Sequence, residues 1–341
     1  MKKLLVASII LAGFMGANAQ NVASTTSLTS GGNLAGTNGS ASAYYGSQAG
    51  KVSTGLSNAF FGNNSGLSNT TGSNNVYLGR SAGNANTTGS YNTITGHNAG
   101  SNSGCTLAVC TTTGTNNSFY GASSGVATNG GNENAFFGSS SGGKNSAGSN
   151  NTYLGYGSGK SNDGSSNVFV GSNSGPVSPN QLGTALSNTL YIDNISNNTP
   201  LIWGDFAADQ VKLNGKAGVG SVGTYTSGSF PTTVGGISVA NYKLFVTGGI
   251  VTEEIRVALA TTWADYVFAK DYNLKPLSEV ESFINTNGHL PNVPSATKVK
   301  EEGINVGEMA KIQQEKIEEL TLYIIAQNKR IEALEAKMNN K

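Results

Sequence analysis

The sequence predicts a mainly β fold with a C-terminal α module. Its expected parts are Gly/Asn-rich parallel β-solenoid (β-roll) repeats, a small β linker region, and C-terminal helices ending in a coiled coil. Three observations predict it. A triplet of glycines recurs eight times in fixed phase between residues 39 and 175. An asparagine followed by a short apolar tripeptide sits at one place in that phase. Near the C-terminus, apolar residues recur at alternating spacings of three and four.

The first segment, residues 1–19, reads as a secretory signal peptide. Lys2 and Lys3 precede an apolar run from Leu4 to Met15, and Ala17-Asn18-Ala19 has the small-x-small form of a cleavage site. The mature chain is therefore expected to begin at Gln20 and to be exported, to the extracellular space or cell surface. The apolar run is too short for a permanent anchor, and no other stretch has the length of a membrane span. An N-terminal segment, residues 20–38, leads into the repeats.

The repeats occupy residues 39–175, and composition is most unusual there. The chain has 47 glycines in 341 residues, and charged residues are only 11% of it against roughly 25% in an ordinary soluble protein. Net charge is +1, which gives no footprint for a nucleic-acid partner. Glycine lacks an every-third-residue register and there are only 7 prolines, which excludes collagen.

Each repeat reads Gly, two linkers, Asn, three mostly apolar residues, Gly, two variable residues, Ala or Ser, Gly. The central glycines Gly46, Gly62, Gly79, Gly96, Gly121, Gly138, Gly155 and Gly171 are spaced 16, 17, 17, 25, 17, 17 and 16 apart. Tripeptides such as Ala59-Phe60-Phe61, Val76-Tyr77-Leu78 and Ala135-Phe136-Phe137 have the content of short strands. Glycine on either side permits positive φ and close backbone approach. One such strand cannot bury its face alone, but stacked copies can. The asparagines Asn58, Asn75, Asn92, Asn117, Asn134, Asn151 and Asn167 share one place, with Ser42 in the first copy. Stacking predicts a ladder of amides that satisfies neighbouring backbone groups. The 25-residue step holds Cys105 and Cys110, the only cysteines. In an exported chain this even pair reads as a disulfide pinning a surface loop.

Residues 176–250 form the expected β linker or knob. Thr189–Asp193, Pro200–Asp205, Val211–Leu213 and Tyr242–Val246 read as strands, and the spacer from Gly215 to Gly236 as its flexible part. From residue 251 to 341 charge returns, with 25 charged residues in 91. Ser278 with Glu281 has the form of a capping box for a helix running to about Asn287, stopped by Gly288. A longer helix, 307–339, carries the seam Ile317, Leu320, Ile324, Gln327, Ile331, Leu334 and Met338. Ile at a with Leu at d favours two strands, and Gln327 at a d position weakens that preference. The seam alone leaves two strands and three both open.

Within this module Trp263–Phe268, Asn287–Ser295 and Lys316–Tyr323 resemble the C-terminal block of tail-fibre-domain surface proteins of Bacteroidota. Tyr191–Asn194 and Pro200–Phe206 extend that resemblance. The repeats resemble the left-handed β-roll heads of trimeric adhesins, with a longer rung here. More remotely, the C-terminal module is similar to the intramolecular chaperone that ends phage tail spikes such as endosialidases. That resemblance implies a trimerisation module at 251–341 and a homotrimer. It also implies a self-cleaving Ser-Asp pair before a Leu-Lys. Here Asp271 and Leu274-Lys275 are present but Lys270 stands at the serine position, so self-cleavage is not expected.

Motifs for other chemistry fail their contexts. Gly79–Gly83, Gly121–Gly125 and Gly138–Gly142 match G-x-S-x-G, but as by-products of the repeat with no helix signal after them. Ser295-Ala296-Thr297-Lys298 matches S-x-x-K and reads as a turn or helix cap. Gly218–Gly223 matches G-x-G-x-x-G without a following helix. No catalytic set, cofactor or metal site is expected, since only His97 and His289 exist and they are far apart in sequence. The expectation is a non-enzymatic fibre or adhesin-like surface protein. A self-processing tail-spike-like protein is the first alternative. The second is a glycan-binding surface module; the expected external partner is a surface glycan or protein receptor.

Overall fold

The computed structural model describes residues 23–25, 28–101, 113–177, 185–220, 230–258 and 263–339. Cys105, Cys110 and residues 1–19 lie outside the described residues. The chain divides into two units at Gly215/Lys216.

Unit 1 is organised by one 13-stranded sheet in which sequence order is spatial order. Eight short strands run parallel: β3 (Ser42–Tyr45), β4 (Ala59–Phe61), β5 (Val76–Leu78), β6 (Thr93–Thr95), β7 (Ser118–Tyr120), β8 (Ala135–Phe137), β9 (Thr152–Leu154) and β10 (Val168–Val170). Each pairs with the next at the same phase of the repeat, as in Phe60↔Tyr77 and Phe136↔Tyr153. The register persists across the 25-residue step, where Ile94 pairs with Phe119. The corners stack as well: Gly79 N–H donates to Phe61 O at 2.8 Å and Ser81 N–H to Asn63 O at 2.8 Å, both in the preceding rung. This is a solenoid-like parallel sheet.

The three glycines of a rung have different reasons to be glycine. At Gly83, φ is +55° and a Cβ would stand 2.6 Å from the Tyr77 ring. Gly72 has no positive φ; a Cβ there would meet the Gly89 carbonyl of the next rung at 2.4 Å. The left-handed angle expected of glycine is instead taken by other residues at two places per rung. Ser57, Asn74, Tyr91, Asn116, Glu133, Asn150 and Ser166 adopt it just before the ladder asparagine. Each costs on the order of 1 kcal/mol. The strain is offset because the turned N–H reaches the preceding rung, as Tyr91 N–H does to Ser73 O at 3.0 Å.

The core is the middle residue of each strand from β4 to β10, continued by Tyr44 of β3 and by Tyr191 of the next strand of the sheet. Tyr44, Phe60, Tyr77, Ile94, Phe119, Phe136, Tyr153, Phe169 and Tyr191 are all buried. Their rings stack from rung to rung: Phe60–Tyr77 at 4.6 Å and 6°, Phe136–Tyr153 at 4.8 Å and 4°. Such contacts add ~0.5–1.5 kcal/mol each beyond area burial. Ile94 is the one non-aromatic member, and a cavity of about 20 Å³ lies beside it and Phe119.

Beside this stack runs the asparagine ladder. Asn75 Nδ2 donates to Asn58 Oδ1 at 3.2 Å and to Gly89 O at 2.9 Å, and Asn75 N–H donates to the same Asn58 oxygen at 3.0 Å. The pattern repeats through Asn92, Asn117, Asn134, Asn151 and Asn167. A second, shorter set serves the far corner: Asn86 Nδ2 donates to Tyr77 Oη at 2.6 Å and to Gly89 O at 2.8 Å.

Antiparallel strands close the sheet at both ends. β1 (Ala23–Thr25) pairs antiparallel with β2 (Leu28–Gly31), which joins β3 in parallel. At the other end β11 (Thr189–Ile192) pairs parallel with β10, then antiparallel with β12 (Ile202–Asp205), which pairs with β13 (Gln210–Leu213). The segment expected as one β linker is thus shared: residues 189–213 extend the sheet of unit 1, and residues from Lys216 onward belong to unit 2. Asp193 fixes the β11–β12 turn by accepting from Asn194 N, Asn197 Nδ2 and Leu201 N at 2.7, 2.8 and 3.1 Å.

Unit 2 carries two small strand pairs. β14 (Ala217–Val219) lies parallel to β17 (Leu244–Val246), and β15 (Thr233–Val234) antiparallel to β16 (Ile237–Ser238). A 3₁₀ turn, Ala264–Phe268, is followed by α1 (Leu277–Asn287), α2 (Ala296–Glu302) and α3 (Val306–Asn339). Gly288 ends α1 at φ +74° as expected, but the N-cap is Pro276 and no side chain caps it. The Ser278/Glu281 capping box is not formed, because Pro276 starts the helix two residues earlier and leaves Ser278 inside it. Ser295 caps α2, its Oγ accepting from Lys298 N at 3.2 Å.

Candidate assembly site

Helix α3 is continuous for 34 residues, and its two halves have different surroundings. The N-terminal half packs against the 3₁₀ turn, and Gly307, Glu315 and Glu318 are buried there. From Ile324 to Asn339 every residue is exposed. All seam residues face solvent: Ile317 56%, Leu320 56%, Ile324 67%, Ile331 52%, Leu334 52% and Met338 76% exposed, with Gln327 exposed among them. Heptad spacing places them on one stripe of the helix. A free helix of about 15 residues is marginal in water, so this half has little of its own to hold it.

The rest of unit 2 is also poorly cored. Among its described residues the buried apolar side chains are Ala264, Val267 and Pro291. Val251, Ile255, Phe268, Ile304 and Val306 are more than half exposed, and α1 and α2 bury nothing.

Polar side chains tie α3 to the preceding segment. Tyr266 Oη donates to Glu315, Tyr272 Oη donates to Glu319 at 2.5 Å, and Lys316 Nζ lies between Glu315 at 2.9 Å and Glu319 at 2.7 Å. Burial works to raise the Glu315 pKa, but the Tyr266 hydroxyl and Lys316 outweigh it and hold it below the usual value. Tyr266 is pushed up to about 12, mainly by donating to Glu315. Glu318 is buried with only Gln314 Nε2 on Oε1, at 3.0 Å, and no partner on Oε2. The seam spacing read from the sequence leaves Glu315, Glu318 and Glu319 off the stripe and does not reveal this network. Heptad periodicity marks the side facing other helices, and nothing in it marks a face covered by a 3₁₀ turn. A neighbouring cavity of about 210 Å³ reaches from Tyr272 and Lys316 to the seam residue Leu320.

The residues of the discarded motifs have structural places. Ser81, Ser123 and Ser140 sit at left-handed corners, and the described chain after each continues as turns rather than a helix. His97 lies 3.0 Å from Arg80 of the preceding rung, and His289 Nδ1 is 3.0 Å from Leu290 O. Lys270 and Asp271 are exposed. Among the described residues no three His, Cys, Asp or Glu side chains converge on a metal-sized site, and no helix is long and apolar enough to cross a membrane.

Strand alternation decides which aromatics of unit 1 face outward, a point the sequence left open. Tyr45, Phe61, Tyr120 and Phe137 each follow the buried central residue of their strand, on the face away from the core. They stack in pairs, Tyr45–Phe61 at 5.3 Å and 9° and Tyr120–Phe137 at 4.9 Å and 6°. Within each pair the facing ring surfaces cover one another.

Comparisons with protein-family models, with curated proteins and with solved structures each return no match.

Proposed function

We propose that this chain is an exported, non-enzymatic fibre or adhesin-like surface protein that assembles as a parallel homotrimer through its C-terminal module. Unit 1 is the β-solenoid shaft or head, and α3 forms the coiled coil that sets its register. The observation that carries the reading is the fully exposed half-helix Ile324–Asn339 with its apolar heptad stripe. Left alone in water, such a stripe costs the hydrophobic free energy that packing against identical helices recovers, ~25 cal/mol per Å² buried. The scarcity of buried apolar side chains elsewhere in unit 2 supports the same reading, since other copies would complete its core. Three strands rather than two follow the resemblance to tail-spike and adhesin modules.

The test is the mass of the recombinant chain from Gln20 onward by light scattering after size exclusion. A monomer is ~33 kDa, so closed threefold assembly gives about 100 kDa. Deleting residues 307–341 should return the mass to that of a monomer. A monomer at full length overturns the assembly reading.

A further inference from the structure

Unit 1 presents a second surface that the C-terminal seam does not account for. On strands β3 to β10 the residues on either side of the buried central one point away from the core (Ala43 and Tyr45 on β3, the first and third positions on β4 to β10), and none of the sixteen is charged. The third position forms a ridge in which Phe61, Leu78, Tyr120, Phe137 and Leu154 are 38–51% exposed. The preceding outward position forms a parallel track, recessed at Ala43, Ala59, Ser118 and Ala135 and as exposed as the ridge at Val76 and Thr152; its recessed stretches are the groove. At ~4.8 Å per rung the two run for roughly 40 Å, and with a width of about 10 Å they cover some 400 Å², uncharged throughout and apolar apart from Thr93, Thr95, Ser118 and Thr152, within the size range of the largest and often functional patch of a monomer.

The sizes within this patch are matched rung by rung. Where the ridge residue is aromatic the groove residue is small: Ala43 with Tyr45, Ala59 with Phe61, Ser118 with Tyr120, Ala135 with Phe137. Where the ridge residue is smaller the groove residue is larger: Val76 with Leu78, Thr93 with Thr95, Thr152 with Leu154, Val168 with Val170. A partner ridge laid in this groove fits at every rung only if it has the same rise and the same order of residues. The ring faces turned to one another within each stacked pair are closed to face-on stacking of a sugar ring.

The geometry points to a second copy of this chain as the occupant. The ridge of one copy lies in the groove of the next, parallel and with identical rungs at the same height. This rests on the parallel self-assembly proposed above and extends it from α3 to the whole repeat region. Such a contact is heterologous, so it closes into a ring when each copy gives its ridge and receives a ridge. Register is set by the order of large and small residues: a one-rung slip places Phe61 over Val76 instead of Ala59.

The test is a full-length chain from Gln20 onward with Phe61 replaced by the photocrosslinker p-benzoylphenylalanine, co-assembled from ¹⁴N and ¹⁵N material. Phe61 is 38% exposed and already aromatic opposite a small groove residue, so the probe keeps the size order and leaves the core residue Phe60 in place. Inter-chain crosslinks, recognised by mixed isotope content, are expected to fall on residues 59–61 of the other chain at least ten-fold more often than on any rung more than one step away. The same probe at Phe137 should mark residues 135–137. If the chain has the mass of an oligomer but inter-chain crosslinks are missing or spread evenly over the rungs, this proposal is overturned and assembly through α3 stands. A monomeric mass overturns both.

Discussion

Replacing Asn134 with alanine removes one step of the buried amide ladder. Asn134 Oδ1 accepts from Asn151 N at 3.1 Å and from Asn151 Nδ2 at 3.0 Å, while its Nδ2 donates to Asn117 Oδ1 at 3.1 Å and Gly148 O at 2.9 Å. The losses are unequal. Asn117 Oδ1 keeps the Asn134 backbone N–H, Gly148 O keeps Asn145 Nδ2, and Asn151 Nδ2 keeps Gly164 O. The Asn151 N–H loses its acceptor in a residue with 0% exposure. Orphaning a buried donor costs ~1–3 kcal/mol, and the net loss of the remaining bonds adds about 1 kcal/mol, so N134A should destabilise by about 2–4 kcal/mol. The assay is urea unfolding at fixed protein concentration, followed by far-ultraviolet circular dichroism. With a slope of ~2–3 kcal/mol per molar, the midpoint should fall by about 1 M at unchanged slope. Amide exchange at Asn151 should accelerate more than at any other amide of its rung. A loss under about 0.5 kcal/mol, the level of an ordinary surface substitution, would refute the ladder as a source of stability.

Gly142→Ala places a methyl 2.3 Å from the Phe136 ring at a φ of +62°; strain and displacement of the ring should cost about 2–4 kcal/mol, read as a lowered thermal midpoint. Asp193 is held below the ordinary carboxylate value chiefly by Asn197, with help from backbone N–H groups against a small burial penalty. Its contribution is therefore complete above the unfolded value near 4 and is lost as pH falls through the lowered one, and D193N should flatten that acid limb in exchange measurements across residues 193–201. Burial raises Tyr77 and Tyr153 well above the usual phenol value, despite hydrogen bonds from Asn86 and Asn162 that work the other way. They stabilise fully below about pH 10 and progressively less as pH rises beyond it. An absorbance titration should leave both protonated at pH 11, and Y77F with Y153F should not change the phenolate signal there.

The repeat region was legible because one constraint acts on it eight times. Three glycines and an asparagine in fixed phase locate every rung, and alternation around the central residue locates the core. What escaped reading was of two kinds. Gly72 and its counterparts are glycine for lack of space beneath the next rung's carbonyl, while Tyr91 and Glu133 take the left-handed angle. Residue preference alone cannot separate those cases, since both depend on the neighbouring rung. In unit 2 the heptad stripe was plain, but α2 and the Tyr266–Glu315–Lys316–Glu319–Tyr272 network were not. These residues are 40 to 50 positions apart in the chain and share no periodicity. The Ser278/Glu281 pattern misplaced the start of α1 because Pro276 is tolerated at a helix start and pre-sets its backbone angle.

The antiparallel closures at the two ends of the sheet make the number of rungs a free variable. Each rung bonds only to the one before and the one after, so inserting another copy in frame lengthens the rod by ~4.8 Å and leaves both closures unchanged. The 25-residue step shows that extra chain between rungs is also tolerated, since Thr93, Ile94 and Thr95 still meet Ser118, Phe119 and Tyr120 in register. Tandem duplication of a repeat can therefore set the length of this sheet in whole rungs, without any rung having to be reinvented.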